Sequence, residues 1–313
     1  MSISEDAKPS TPKQPPAPVL SVLIVNYNAG DLLSEAVAAV LANALPLEII
    51  VSDNGSADGS LEKLESRHGN DPRLRVRRNG ANLGFAGGHN RALPWAKAPY
   101  LLFLNPDCIV GPETLTQLLD FMAATPEAGM AGTMVRNPDG SEQKASRRRI
   151  PDPWVGLVRF LHLDRLWPKL LADKRLNLMH APLPTRPLMV EAISGSLMLV
   201  RRRALEEVGP LDEGYFLHCE DLDWFVRFRN AGWPIYLVPA AEVRHHQGAC
   251  GLSRPFAVEW HKHKGMARFF RKFQFRDYPL PFSLLVLLGI WLHFGAFALL
   301  EGGRRLPRLL RQR

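Results

Sequence analysis

Short polar and acidic residues gather at a few points along this 313-residue chain, each directly after an apolar run. The first cluster is Asn26-Tyr27-Asn28 and the second is Ser52-Asp53-Asn54-Gly55-Ser56. A carboxylate placed there can accept from the N–H of a nucleobase while Tyr27 offers a stacking face. The second cluster reads equally well as a turn with a helix cap. A third run spans Asn82, Gly84, Gly88 and Asn90. Its glycines allow close backbone approach, and a helix starting there favours anions. It has no G-x-G-x-x-G after the first strand and no Gly-Lys-Ser or Gly-Lys-Thr, which disfavours a dinucleotide oxidoreductase or a P-loop.

Asn105-Pro106-Asp107 closes another apolar run, and Asp107 is placed to hold a hard divalent cation that bridges two phosphates. Glu220, Asp221 and Asp223 fall within four residues near a helix start. Crowded carboxylates raise one another's pKa values, which suits a general base. The same acids also suit a solvated helix N-terminus. Phe216 and Trp224 would give a sugar-sized ligand a face to pack on. His245, followed by His246, supplies an imidazole able to ligate a metal.

The elements that carry these clusters follow from hydrophobic pattern. Residues 19–25 form a nearly continuous β-branched and aliphatic run, the pattern of a strand buried on both faces. Further strands are expected at 47–51, 74–76, 100–104, 197–200 and 235–238. Helical spacing covers 31–41, 86–96 and 220–231, with helix starts near 60 and 203. This alternation predicts an α/β domain with a mostly parallel central sheet, in which ligands bind beyond the carboxyl ends of the strands. The domain is expected over 19–255, with a lid-like, acceptor-side insertion between about 150 and 190. Residues 1–18 read as a disordered arm without the apolar core of a signal peptide.

Residues 256–279 form a basic amphipathic segment. Residues 280–300 contain no Asp, Glu, Lys or Arg and approach the length of a bilayer-crossing helix, so they are expected to associate with or span a membrane. A basic tail, 301–313, follows. The net charge of +8 could serve a membrane surface, nucleic acid or an anionic substrate. Basic clusters flank the apolar stretch, which favours the membrane. Of the interleaved basic and aromatic residues that a nucleic-acid binder needs, only Phe269–Phe275 comes near, and its position beside the apolar stretch suits lipid better. The composition, 46% hydrophobic and 22% charged, excludes a collagen-like or wholly disordered chain. The scattered Cys108, Cys219 and Cys250 exclude a disulfide scaffold and point to chemistry facing the cytoplasm.

In this order and spacing the clusters resemble the family 2 glycosyltransferases with the GT-A fold. They are closest to the rhamnosyltransferase-like branch of bacterial cell-surface polysaccharide synthesis. The resemblance rests on Asn26-Tyr27-Asn28, Asp53 to Ser56, Asn82 to Asn90, Asn105-Pro106-Asp107, Ser194-Gly195, Glu220-Asp221-x-Asp223 and His245-x-x-Gly248, and covers about residues 20–250. It implies inverting transfer from a nucleotide-diphosphate sugar, dTDP-rhamnose favoured, to a lipid-linked or glycan acceptor at the cytoplasmic face of a bacterial inner membrane. Asn26, Tyr27, Asn28, Asp53, Asn82, Gly84, Gly88, Asn90 and Asn105 would line the donor pocket. Asp107, the last acid of the family's D-x-D motif, and His245 would hold Mg²⁺ or Mn²⁺. Cys250 stands where the family often has Ser, which leaves His246 as an alternative ligand. Asp221 would be the base with Glu220 in support, and Ser194, Gly195, Asp223 and Trp224 would meet the acceptor. Two rivals are a UDP- or GDP-hexose donor and a non-catalytic GT-A-like assembly partner at the membrane. The presence of Asp107, Asp221 and His245 together argues against the second.

Overall fold

A computed structural model describes residues 16–144, 146–160, 177–179, 181–246 and 255–310. Strand β1 (Leu20–Asn26) is buried at all seven positions, as its unbroken aliphatic sequence requires. It runs parallel between β2 (Leu47–Asp53) and β4 (Tyr100–Leu104), with β3 (Leu74–Arg78) parallel outside β2. Helices α1 (Leu32–Leu41), α2 (Ser60–His68) and α3 (Gly84–Ala92) make the crossovers. Beyond β4 comes β10 (Leu197–Arg201), antiparallel both to β4 and to β6 (Met130–Arg136). The sheet continues with β11 (Ile235–His245), parallel to β6, and ends at the short β5 (Cys108–Val110), antiparallel to β11. Strand β8 (Leu188–Met189) adds to β11, while β7 (Arg147–Arg148) and β9 (Ala192–Ile193) pair separately. The expected mostly parallel sheet is present.

Alternate strand residues feed two cores. Leu20, Val22 and Ile24 pack with Val37 of α1, Leu64 of α2 and Leu118 of α4 (Thr114–Ala124). On the other face Leu23 and Phe103 pack with Ala86 of α3, Ala204 of α6 (Arg202–Val208) and Phe225 and Phe228 of α7 (Glu220–Asn230). The pattern left α4, β5 and β6 unread and stopped β11 at Val238. Pro239 breaks the apolar run there, and the strand carries a register shift between Val238 and Glu242 before pairing resumes. Proline is tolerated at such an irregularity because no ladder hydrogen bond is lost. The added length brings His245 opposite Cys108.

Helix α5 (Pro153–Phe160) belongs to the expected 150–190 insertion. Residues 161–176 and 180 of that insertion lie outside the described residues. So do 1–15 of the expected arm, Gly248 and Cys250 of the histidine motif, and 311–313 of the tail.

The C-terminal segments form two packed helices, α8 (Pro255–Phe273) and α9 (Leu280–Leu310). Trp260 of α8 meets Trp291 and Phe294 of α9 with ring centroids 5.3 and 5.4 Å apart, and Phe256 meets Phe297 at 5.8 Å. Between them, the buried His263 faces His293 with Nε2 to Nδ1 at 2.8 Å. His263 gives its Nδ1–H to the Glu259 carbonyl at 2.7 Å, so its Nε2 accepts from His293. The opposite side of α9 is bare. Leu280, Leu284, Leu288 and Leu292 recur every fourth residue and are 54–60% exposed. Residues Leu280–Glu301 are long and apolar enough to cross a membrane. Toward the α/β domain, α8 buries Phe269 and Phe270, and Lys272 reaches Asp212 at 2.8 Å and Asp223 at 2.6 Å.

Candidate active site

The ends of β1 and β2 are tied by a dense polar web. The Asn26 amide donates to Asp53 Oδ1 at 2.8 Å and to Ser60 Oγ at 2.9 Å, and Asp53 Oδ2 accepts the Gly55 and Ser56 N–H groups at 3.1 Å. The turn alternative weighed for Asp53 is therefore realised: only the remaining lone pairs of this nearly buried carboxylate could meet a ligand N–H. Asn28, in the left-handed conformation at φ 54°, accepts from Ala57 N–H at 2.8 Å. Tyr27 beside it is half-buried. Asn82 Oδ1 caps Gly84 N–H at 3.0 Å and receives the Asn54 amide at 3.3 Å.

The glycines of this run act differently from the expectation. Gly84 has φ +75°, and a Cβ on it would drive into the Phe216 carbonyl; a Cβ on Gly88 would lie 2.7 Å from a Val25 methyl. Their bare faces are filled by protein, which draws α3 onto β1 and onto the loop before α7. Asn90 also turns to that loop, exchanging hydrogen bonds with Leu211 and donating to Glu213 at 3.0 Å. These three residues anchor α3 and offer no side chain to a nucleotide.

Just beyond the end of β4, Asp107 meets His245, the last residue of β11. Asp107 Oδ1 lies 3.1 Å from His245 Nε2, both side chains being more than nine-tenths buried. Gln143 decides the imidazole's state. Its amide nitrogen donates to Asn137 Oδ1 and to the His245 carbonyl, which leaves its Oε1 to accept His245 Nδ1–H at 2.6 Å. In the neutral ring Nε2 then carries a lone pair facing the carboxylate. Two acceptors so close need a positive charge between them, a proton or a cation. The donor set thus fits a divalent ion, with the outer partner that orients a metal-bound histidine already in place. Asn105 Nδ2 is 3.5 Å from the same nitrogen. Cys108 Sγ lies within the group, but burial first and then the Asp107 charge push its thiol well up, so it is no ready thiolate. His246 is not part of the group; its N–H donates to the Asp107 carbonyl at 3.0 Å.

Glu220 and Asp221, adjacent in sequence, meet opposite fates. His218 and Cys219 are both left-handed, at φ 70° and 71°, and this sharp turn starts α7. Glu220 is thrown inward, with Oε2 buried and unpartnered among the described residues. Burial, and then the Asp221 charge, push its carboxyl up to about 8, so it is protonated at neutral pH. Asp221 lies at the surface of the site, its Oδ1 accepting Leu222 N–H at 2.8 Å and its Oδ2 paired with Arg148 of β7. Gly195 lies against it: a Cβ there would sit 2.7 Å from Oδ2. Ser194 is half-exposed next to it, its hydroxyl 2.9 Å from that of Ser196.

Two expected acceptor residues are corrected. Trp224 is fully buried, donating Nε1–H to the Gly209 carbonyl at 2.9 Å and packing on Phe103 and Phe228. Asp223 is also fully buried and holds Arg227 at 2.7 Å and Lys272 at 2.6 Å. Within the first turn of α7, Asp221 faces the site while Asp223 and Trp224 face α8 and the core. Phe216 stacks on His261 of α8 at 4.3 Å. Sequence reasoning passed over Gln143 and Arg148, because a lone Gln after a turn and one Arg in a basic run carry no spacing signal.

The sheet, with a buried carboxylate–imidazole pair at one strand end and an acidic helix start, has the architecture of a GT-A fold. Residues 21–209 match the profile of the family described as Glycosyl transferase family 2. The chain is 35% identical over 247 residues to the N-acetylglucosaminyl-diphospho-decaprenol L-rhamnosyltransferase of Mycobacterium tuberculosis, covering 73% of this chain and 76% of that one. It is 27% identical over 256 residues to the rhamnosyltransferase WbbL of Escherichia coli K12, covering 77% and 88%. Among solved structures, a Pyrobaculum calidifontis mannosyltransferase in complex with GDP-Man and Mn²⁺ superposes with TM-score 0.55 at 16% identity, over 93% of this chain and 81% of that one. GalNAc-T7 with UDP, GalNAc and Mn²⁺ also gives 0.55 at 19% identity, over 73% of this chain and only 44% of that one. The protein belongs to glycosyl transferase family 2 and is a glycosyltransferase.

Gln143→Leu should weaken Mn²⁺ binding in the presence of nucleoside diphosphate by about 10–100-fold, read by calorimetry; unchanged affinity would show that His245 needs no outer partner. Glu220 adds a pH signature. Its folded value of about 8 lies above the ordinary 4.5, so between those limits the folded state holds a proton that the unfolded state has shed. Its contribution therefore falls as pH rises through that window and levels off above it. Wild type should lose more urea resistance than Glu220→Gln between pH 5.5 and 8.5, and parallel curves would refute the assignment.

Proposed function

We propose that this enzyme transfers a sugar, rhamnose from dTDP-rhamnose, with inversion onto a hydroxyl of a lipid-linked diphosphate glycan at the cytoplasmic face of a bacterial membrane. The observation that carries the reading is the placement of Asp221: ionisable, at the site surface, one residue from a carboxyl kept neutral by burial. Asp221 takes the proton of the acceptor hydroxyl, whose oxygen bonds to the anomeric carbon as the bond to the donor phosphate breaks. Asp107 and His245 would hold Mg²⁺ or Mn²⁺ on the donor diphosphate, and the imidazole nitrogen favours Mn²⁺ over the all-oxygen preference of Mg²⁺. When bound, that cation neutralises the charge growing on the leaving group. Glu220, protonated and buried, would keep a second negative charge away from the departing diphosphate.

Rhamnose and the prenyl diphosphate acceptor are taken from the names of the relatives above. A UDP- or GDP-hexose donor is the second reading, favoured by the nucleotides in the superposed structures. Titration of dTDP, UDP and GDP, each with and without Mn²⁺, separates them. Metal-dependent binding of dTDP is expected, and binding of UDP or GDP instead would overturn the rhamnose assignment. Asp221→Asn should cost transfer about 10²–10⁴-fold while leaving nucleotide affinity intact; a fully active variant would remove Asp221 as base.

The bare leucine row of α9 and the basic face of α8 support attachment to an anionic bilayer. The full chain is expected to float with anionic liposomes, and the combined Leu284→Glu, Leu288→Glu and Leu292→Glu variant to stay behind. Equal flotation of both would reject this membrane face.

A further inference from the structure

Both oxygens of Asp221 are occupied. Oδ1 holds the Leu222 N–H and Oδ2 holds the Arg148 guanidinium, with the bare backbone of Gly195 closing the third side. With the Gly195 backbone against one side of Oδ2 and the Arg148 guanidinium on the other, an acceptor hydroxyl reaches that oxygen only once Arg148 moves aside. The contact is suited to release. Arg148 and Asp221 keep 16% and 14% of their side chains exposed, and the other hydrogen bond of Arg148, to the Ile193 carbonyl, is long at 3.4 Å. The neighbouring Arg147 contrasts with it, being 4% exposed and bound to Glu142 and two backbone carbonyls.

We propose that Arg148 forms the subsite for the acceptor's diphosphate: the guanidinium rests on Asp221 until that diphosphate arrives, then passes to its oxygens and frees Oδ2 to take the proton. This rests on the reading of Asp221 as base and of the acceptor as a prenyl diphosphate. Guanidinium matches phosphate in a bidentate fork, and a diphosphate offers more charge and more acceptors than one carboxylate, so the exchange runs toward the ligand. The proton of the acceptor hydroxyl then goes to Oδ2, its oxygen forms the bond to the anomeric carbon, and the nucleoside diphosphate leaves with the electron pair of the broken bond. Departure of the product returns Arg148 to the carboxylate, which caps the base while no acceptor is present.

The test uses the full chain in detergent and two acceptors, N-acetylglucosaminyl diphosphate on a short prenyl chain and the same sugar on a phosphate-free alkyl chain. The wild-type ratio of KM values between the two should fall about tenfold or more in Arg148→Gln, the loss of one charged hydrogen-bonded contact, and recover in part in Arg148→Lys. An unchanged ratio overturns the proposal, even if kcat drops. Direct binding supplies a second arm. Asp221→Asn, which removes the competing charge, should bind the diphosphate acceptor more tightly than wild type, and equal or weaker binding overturns the exchange. Turnover of Asp221→Asn reports separately on the base reading, because a fully active variant sinks that reading whatever the binding shows.

Discussion

Two consecutive left-handed residues, His218 and Cys219, set the geometry on which the site depends. Neither is glycine, so each conformation costs about 1–2 kcal/mol and persists only because neighbours hold it. Three contacts do so. Phe85 donates its N–H to the Phe216 carbonyl at 3.0 Å, the Phe216 ring stacks on His261, and Gly265 of α8 lies against the His218 carbonyl with no room for a side chain. The turn they enforce starts α7 so that Glu220 points inward and Asp221 outward. Helix α8 is thus part of the wall that aims Asp221 as well as the support for α9.

Positive charge, abundant in the sequence, is divided by the fold into two kinds. Much of it is structural. Arg201 donates to the Met122 and Thr125 carbonyls at the end of α4, and Arg202 to those of Ala96 and Ala98, satisfying carbonyls that lack partners at element ends. Asp212 joins Arg268 and Lys272, and although burial alone would raise its carboxyl, those two hydrogen bonds hold it down to about 2. With Asp223 on the same lysine, these acids rivet α8 to the α/β domain. Arg148, partly exposed and held by one long backbone contact besides its carboxylate, lies on Asp221.

Legibility in the sequence followed burial. Strands covered on both faces, such as Leu20–Asn26 and Tyr100–Leu104, announce themselves by unbroken aliphatic runs, and the polar residues at their ends mark the ligand side of the sheet. Asp107 and His245 were singled out for that reason, and Asp221 by the crowding of acids at a helix start. Roles within a single helical turn were not legible: Asp221 and Asp223 are chemically alike, yet a rotation of about 200° separates the site from the core. Trp224 was misjudged on the same ground, since an aromatic ring reads as a ligand platform or as packing until its neighbours are known. The pKa argument from crowding was right in direction, but burial of Glu220 contributes more than the neighbouring charge. Gln143 illustrates the remaining limit, because an uncharged side chain that fixes a tautomer has no signature of composition or period.

The residues around the buried carboxylate–imidazole pair come from strands far apart in the chain. Asn105 and His245, which meet at the end of β4, are separated by 140 positions. His245 arrives only through β11, which must first pair with β6, pass its irregularity at Pro239 and then pair with β5. Closing so long a loop is the entropically costly step of assembling a sheet like this one. During synthesis from the N-terminus, the residues of β1 to β4 and Asp107 are made long before His245. Asp107 and His245 can therefore meet only after most of the domain has been made, and any shorter nascent chain carries one half of the pair.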